Sequence, residues 1–207
     1  MDENANQRFD AFLRDLRNKT GASHKSLEDR QLSRLLLDPS LSSFTYQLYL
    51  SKLYRVVRAC EAQVFPLLSH LLKDLPRRQK AELIFNDLIA TGMSQKDIAG
   101  LPVHHFQEMS IAQAMGAMYV LEGATLGGRI LYRHINETLG LNQESGASYF
   151  WGYGAETGIM WKIFLSALSH TAVEKKCEDE IIRNAEETFK LIDNLLAEAE
   201  VTPAHEN

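Results

Sequence analysis

Apolar residues recur along this chain at intervals of three and four, the period of a helix with one buried face. Phe9, Phe12, Leu13 and Leu16 form such a stripe and predict a helix over residues 6–19. Thr20-Gly21 predicts an interruption, followed by a shorter helix over 24–37 and a stop at Asp38-Pro39-Ser40. Leu50, Leu53, Val57, Cys60, Val64, Leu67 and Leu71 predict a long buried seam over 44–72, which Pro66 should kink or end. Residues 77–91 read as helix closed by Gly92, and Ser94-Gln95-Lys96-Asp97 opens one further turn. A long helix is predicted over 106–139 and ended by Gly140, then an aromatic-bearing loop over 142–154. Two last helices follow, over 156–169 and 173–199, the latter with Cys177, Ile181, Ile192, Leu195 and Ala199 inward; a polar tail occupies 201–207. No alternating strand pattern, repeat or linker appears. The reading is one all-α domain, a bundle of about seven to eight helices with its core over residues 6–199.

Composition narrows the function classes. The 207 residues are 45% hydrophobic and 24% charged, an ordinary globular balance that excludes a disordered or collagen-like chain. A net charge of -5 argues against a nucleic-acid partner. The pairs Arg77-Arg78 and Lys175-Lys176 read as solvated helix faces. Cys60 and Cys177 match no metal or redox spacing, and no leader or membrane-spanning run is evident, so a cytoplasmic protein is expected.

Against this plain background one segment stands out. Gly116, Gly123, Gly127 and Gly128, four of twelve glycines, fall within a single predicted helix. Each interior glycine costs about 1 kcal/mol against alanine, and four cost about 4 kcal/mol, a large share of the ~5–15 kcal/mol that holds a domain together. At 100° per residue Gly116, Gly123 and Gly127 share a narrow arc. Either a neighbouring helix packs unusually close there, or a flat ligand such as a porphyrin lies against bare backbone. Of seven histidines, His24 has Glu28 one turn on. On spacing alone that pair is a surface contact; read as a metal site, the carboxylate would accept a hydrogen bond from Nδ1–H and leave Nε2 for iron.

The segment Leu16-Arg17-Asn18-Lys19-Thr20-Gly21-Ala22-Ser23-His24-Lys25-Ser26-Leu27-Glu28 resembles the Leu-Arg-x-x-Thr-x-x-x-His-x-x-Leu-Glu signature of biliverdin-producing heme oxygenases. Residues 119–128, Tyr-Val-Leu-Glu-Gly-Ala-Thr-Leu-Gly-Gly, resemble that family's distal helix, and residues 152–168 also resemble its bacterial branch associated with phytochromes. The three matches stand in the family's order and span most of the chain. The resemblance implies a heme-oxygenase-like bundle that takes heme as both cofactor and substrate. With O2 and electrons from an external donor, a ferredoxin or reductase, it would release biliverdin, carbon monoxide and ferrous iron. It makes His24 the iron ligand, Glu28 its support, and Gly123 and Gly127 the catalytic wall, with Gly128 beside them. Arg17 and Lys162 would hold the propionates, and Tyr119 would add a phenol. Trp161, Phe164 and Phe150 read as core. One departure is plain: Ala124 stands where the best-known animal enzymes carry a distal aspartate. Glu122, about 200° round the helix from Ala124, is not placed to replace it.

Three other functions compete with this reading. A non-catalytic heme-binding or sensing module on the same fold is favoured by Ala124. A di-iron carboxylate bundle would need paired Glu-x-x-His motifs, which the chain lacks. A purely structural helical domain would leave the glycines and His24-Glu28 unexplained.

Overall fold

The computed structural model describes residues 3–198, with side chains described from residue 6. These residues are all-α, without a strand. The helices are α1 (Glu3–Asp29), α2 (Gln31–Leu35), α3 (Ser43–Gln63), α4 (Phe65–Leu68), α5 (Leu75–Arg78), α6 (Ala81–Ala90), α7 (Gln95–Ala99), α8 (Ile111–Leu139), α9 (Ser148–Trp151), α10 (Thr157–Lys175) and α11 (Glu178–Ala197); a single 3-10 turn, Gly154–Glu156, precedes α10. The long elements α1, α3, α6, α8, α10 and α11 make the bundle, and the short ones are turns that redirect the chain. These turns raise the number above the expected seven or eight. Helix α8 is the spine: it packs against α11, α10, α9, α4 and α3, while α1 lies across α10 and α11.

Several boundaries differ from the sequence expectations, each for a local reason. Helix α1 runs through Thr20-Gly21 without a break and carries His24 and Glu28 on the same element as Arg17. Thr20 is buried, and its hydroxyl donates to the Leu16 carbonyl one turn back at 2.7 Å, so it stays within the helix instead of capping one. Pro66 sits in the first turn of α4, where its missing N–H is harmless, and α3 ends before it. The break moves the buried register by one: Leu68 and Leu72 are in the core, while Leu67 and Leu71 are only partly buried.

The helix expected over 77–91 is split by Gln79, which is extended at φ -62°, ψ 132°. The split turns Arg78 and Lys80 inward, so Arg78 is 1% exposed and not part of a solvated face; Arg77 remains outside, paired with Glu156. Helix α8 begins at Ile111, not 106, because Ser110 and Gln113 cap each other's backbone N–H groups. Gly140 closes α8 in the left-handed region. The loop expected over 142–154 contains α9, and α10 extends to Lys175, past the expected end at 169. Cys177 is the N-cap of α11 and only partly buried, whereas Ile181, Ile192 and Leu195 are core; Ala199 and the polar tail lie outside the described residues.

Candidate functional site

The second half of α1 brings Arg17, Thr20, His24 and Glu28 to one region of the bundle. His24 is exposed, with Nδ1 3.6 Å from a Glu28 carboxylate oxygen. The imidazole rests edge-on against Phe189 of α11, ring centroids 5.6 Å apart. Phe189 thus backs the ring while the carboxylate lies on its Nδ1 side.

Helix α8 meets this region through Tyr119, one turn before Gly123. The Tyr119 hydroxyl hydrogen-bonds to the Thr20 side chain, which joins the two helices one turn before His24 and one turn before Gly123. Burial pushes the Tyr119 phenol above its ordinary pKa, against the lowering effects of that hydrogen bond and the Arg17 charge. The Tyr119 ring lies 5.6 Å from Trp161 of α10, and Trp161 stacks on buried Phe164. Arg17 and Lys162 are exposed. Phe150 and Phe164 are core as expected. Trp161 also packs on the core, and its outer edge covers Gly123.

The four α8 glycines divide into two kinds. A Cβ at Gly116 would lie 2.5 Å from the Ile181 carbonyl oxygen and 2.9 Å from the Ala185 nitrogen, so Gly116 is where α11 presses on α8. A Cβ at Gly128 would stand 3.1 Å from the Phe150 carbonyl oxygen of α9. These two have a packing reason. A Cβ at Gly123 would meet only the Trp161 ring, at 3.6 Å, and one at Gly127 would meet nothing within 4 Å. These two have no packing reason. Around them Ala124, Leu126 and Gly127 are exposed, and Leu126 and Ile130 leave large apolar side chains in the open at 44% and 68% exposure. An uncovered apolar and backbone surface of this kind suits a flat apolar ligand.

Behind the glycine face, Glu122 turns to the opposite side of α8. It is 2% exposed and binds Arg78, the Lys80 ammonium at 2.7 Å and the Tyr153 hydroxyl at 2.9 Å. It therefore does not reach the Ala124 side. Sequence reasoning missed this cluster, although a lone carboxylate between apolar Leu121 and the glycines was a signal for a buried partner. It also missed the Thr20–Tyr119 tie. Cys60 is buried beside Met118, and burial raises its thiol pKa, which leaves it a poor nucleophile. Among the described residues no three His, Cys, Asp or Glu side chains gather as a metal cage would require, and no helix is long and apolar enough to cross a membrane.

The fold has solved counterparts. A heme oxygenase from Neisseria meningitidis superposes with a TM-score of 0.73 at 22% identity, covering 94% of each chain. One from Leptospira interrogans gives 0.73 at 20% identity, covering 88% of this chain and 97% of that one. A Synechocystis heme oxygenase solved in complex with heme gives 0.71 at 18% identity, covering 91% and 92%. No match is found among curated proteins. The heme oxygenase family model matches residues 10–198, nearly the whole described chain and all three motif segments; the chain belongs to the heme oxygenase family.

Proposed function

We propose that this chain binds heme between α1 and α8 and opens it with dioxygen and external electrons to biliverdin, carbon monoxide and ferrous iron. The observation that carries the reading is the pairing of two features: an exposed His24 whose Nδ1 faces Glu28, and a stretch of α8 where Gly123 and Gly127 have no packing reason to be glycine. The residues fit the ring. An imidazole with its Nδ1 side turned to a carboxylate offers Nε2 to iron, and the open Gly127 beside exposed Leu126 presents bare backbone for a macrocycle.

When bound, heme supplies the redox chemistry and is itself the substrate. The chain's residues bind and orient. His24 would ligate the iron, and Glu28 would accept a hydrogen bond from Nδ1–H and so fix the tautomer. Arg17 and Lys162 would neutralise the propionates at the mouth, with the Tyr119 phenol beside Arg17. Gly123 and Gly127 would leave room for dioxygen next to the ring. Gly128 supports this wall from behind by admitting the Phe150 carbonyl. Ala124 contributes no carboxylate and Glu122 is committed elsewhere, so proton delivery falls to water and backbone groups. No dinucleotide fingerprint occurs in the sequence, so electrons would come from a ferredoxin or reductase. The two free cysteines suit a reducing cytoplasmic setting.

Hemin titration followed by reductant, read by visible absorption, tests the reading. The expected result is a histidine-ligated heme spectrum that bleaches to biliverdin, with carbon monoxide released. A spectrum that forms and stays intact under reductant would support the alternative, a heme-binding or sensing module, which the alanine at 124 favours. His24→Ala should remove the axial signature, and Glu28→Gln should weaken heme affinity or turnover by about 10–100-fold. Unchanged affinity and axial spectrum in His24→Ala would overturn the ligand assignment.

A further inference from the structure

Directly behind the glycine face lies a group of charges, buried except at the partly exposed Asp74, that ligation and propionate binding do not use. The Arg78 side chain is 0% exposed, Glu122 2% and Lys80 7%. The Arg78 guanidinium bridges three elements. It binds Glu122 of α8, donates to Asp74 at 2.6 Å just ahead of α5, and donates to the Met160 carbonyl of α10 at 3.1 Å. Lys80 donates to Glu122 at 2.7 Å, to the Tyr153 hydroxyl at 2.6 Å and to the Arg78 carbonyl at 3.1 Å. Tyr153 passes its own proton on to Glu122 at 2.9 Å. Two cations face two carboxylates, so the group is neutral overall. Burial works against the Arg78 charge, but Asp74 and Glu122 raise its pKa on balance; for Asp74, burial opposes ionisation and Arg78 restores it.

Two of the anchored groups have telling neighbours. Glu122 immediately precedes Gly123. Met160 immediately precedes Trp161, whose ring stands 3.6 Å from where a Gly123 Cβ would be. One guanidinium thus holds both sides of the Gly123–Trp161 contact. Apolar side chains of the same volume would hold α8 and α10 together as well, and often better, since burying ions is expensive. What charges add is direction: a planar fork fixes two helices in one relative setting, while an apolar contact lets them slide.

We infer that the Arg78–Glu122–Lys80–Asp74 cluster, with Tyr153, is the positioning device of the distal wall. It sets where Gly123 stands relative to Trp161 and so determines which meso carbon of the ring is presented for oxidation. Arg78, Glu122 and their partners touch neither ring nor iron; they act through Gly123 and Trp161. This rests on the heme-degrading reading above.

The test compares the biliverdin isomers released by wild type, Glu122→Gln, Tyr153→Phe and the exposed control Arg77→Ala, separated chromatographically after reductant-driven turnover. The wild type and the control should give the same dominant isomer. In Glu122→Gln the minor isomers should rise by about tenfold against the main one, the scale of a sub-ångström misplacement. Heme affinity and the axial spectrum should stay near wild type, because His24 is untouched. Tyr153→Phe keeps all three ion pairs and removes only the hydroxyl's hydrogen bonds with Lys80 and Glu122, so a smaller shift in the same direction is expected; it carries the test if Glu122→Gln fails to fold. Loss of stability alone lowers the yield of every isomer together and does not change their ratio. Folded variants with the wild-type isomer ratio would overturn the positioning role and leave the heme-degrading reading intact. A wild type that binds heme without degrading it would overturn both.

Discussion

Gly116 and Gly127 sit on the same face of the same helix, eleven residues apart, yet for opposite reasons. At Gly116 the backbone of α11 occupies the space where a Cβ would be, with the Ile181 carbonyl 2.5 Å away. At Gly127 that space is open, and nothing lies within 4 Å. The first glycine lets two helices approach; the second leaves room that the protein itself does not fill. A glycine that no neighbour requires is a standing loss of about 1 kcal/mol in a helix interior, and at Gly127, beside the exposed Leu126 and Ile130, that loss points to a purpose outside the fold itself. The difference divides a stripe that looks uniform in sequence into a packing half and a candidate binding half.

Alanine substitution should split the two halves by sign. Gly116→Ala is expected to have the largest effect. Its methyl meets backbone, which cannot rotate away, so α8 and α11 must separate along the main packing seam of the bundle. Overpacking of this kind typically costs 1–3 kcal/mol. After the gain of about 1 kcal/mol in helix propensity, a net loss of up to about 2 kcal/mol is expected, read as a fall of several degrees in thermal midpoint. Heme affinity of the remaining folded protein should be unchanged.

Gly127→Ala should do the reverse. With open space for the methyl, the apo protein should gain up to about 1 kcal/mol and melt later. Turnover of bound heme should fall, because the methyl enters the space proposed for ring and dioxygen. Gly123→Ala should behave likewise, with a smaller gain because Trp161 is already in contact. A stabilised variant with wild-type turnover would break the division at that position. Gly21, within α1, likewise has nothing within 4 Å of a Cβ, and Gly21→Ala should stabilise by about 1 kcal/mol through propensity alone.

How far the sequence carried this picture depends on which residues are asked. The all-α class and the seam of α3 were legible because three-and-four spacing maps directly onto burial, as at Leu50, Val57 and Cys60. The motif around His24 and the one around Gly123 were legible as patterns, and the chain's family bears out the resemblance they carry. The continuity of α1 was not legible, because Thr20-Gly21 has the composition of a break and only tertiary burial of Thr20 against α8 decides otherwise. The reasons for the individual glycines were not legible either. Helical angle places Gly116 and Gly127 together, and only the position of α11 tells them apart. Arg78 was misread for a similar reason: its burial follows from one extended residue at Gln79 and from a charge that comes from elsewhere in the chain, at Glu122, added to the local one at Asp74.

The smallest expected effect is at Gly128, where the two influences nearly cancel. A methyl there would come within 3.1 Å of the Phe150 carbonyl oxygen, so α9 must yield by a few tenths of an ångström. Whether it can depends on Asp87. That buried carboxylate accepts from the Ser148 backbone N–H at 2.9 Å, the Ser148 hydroxyl at 2.8 Å and the Tyr149 backbone N–H at 2.8 Å, which pins the start of α9 to α6. With α9 held, the clash should outweigh the propensity gain slightly, and Gly128→Ala should lose about 0.5 kcal/mol. In an Asp87→Ala background the turn is released, although that change is itself destabilising. The alanine at 128 should then become neutral or mildly stabilising. The coupling between the two substitutions should be about 0.5–1 kcal/mol, measured by a double-mutant cycle on urea unfolding. Strict additivity would mean that Asp87 does not hold Phe150 against α8. The closeness of the Phe150 carbonyl to Gly128 would then be fixed by other contacts of α9.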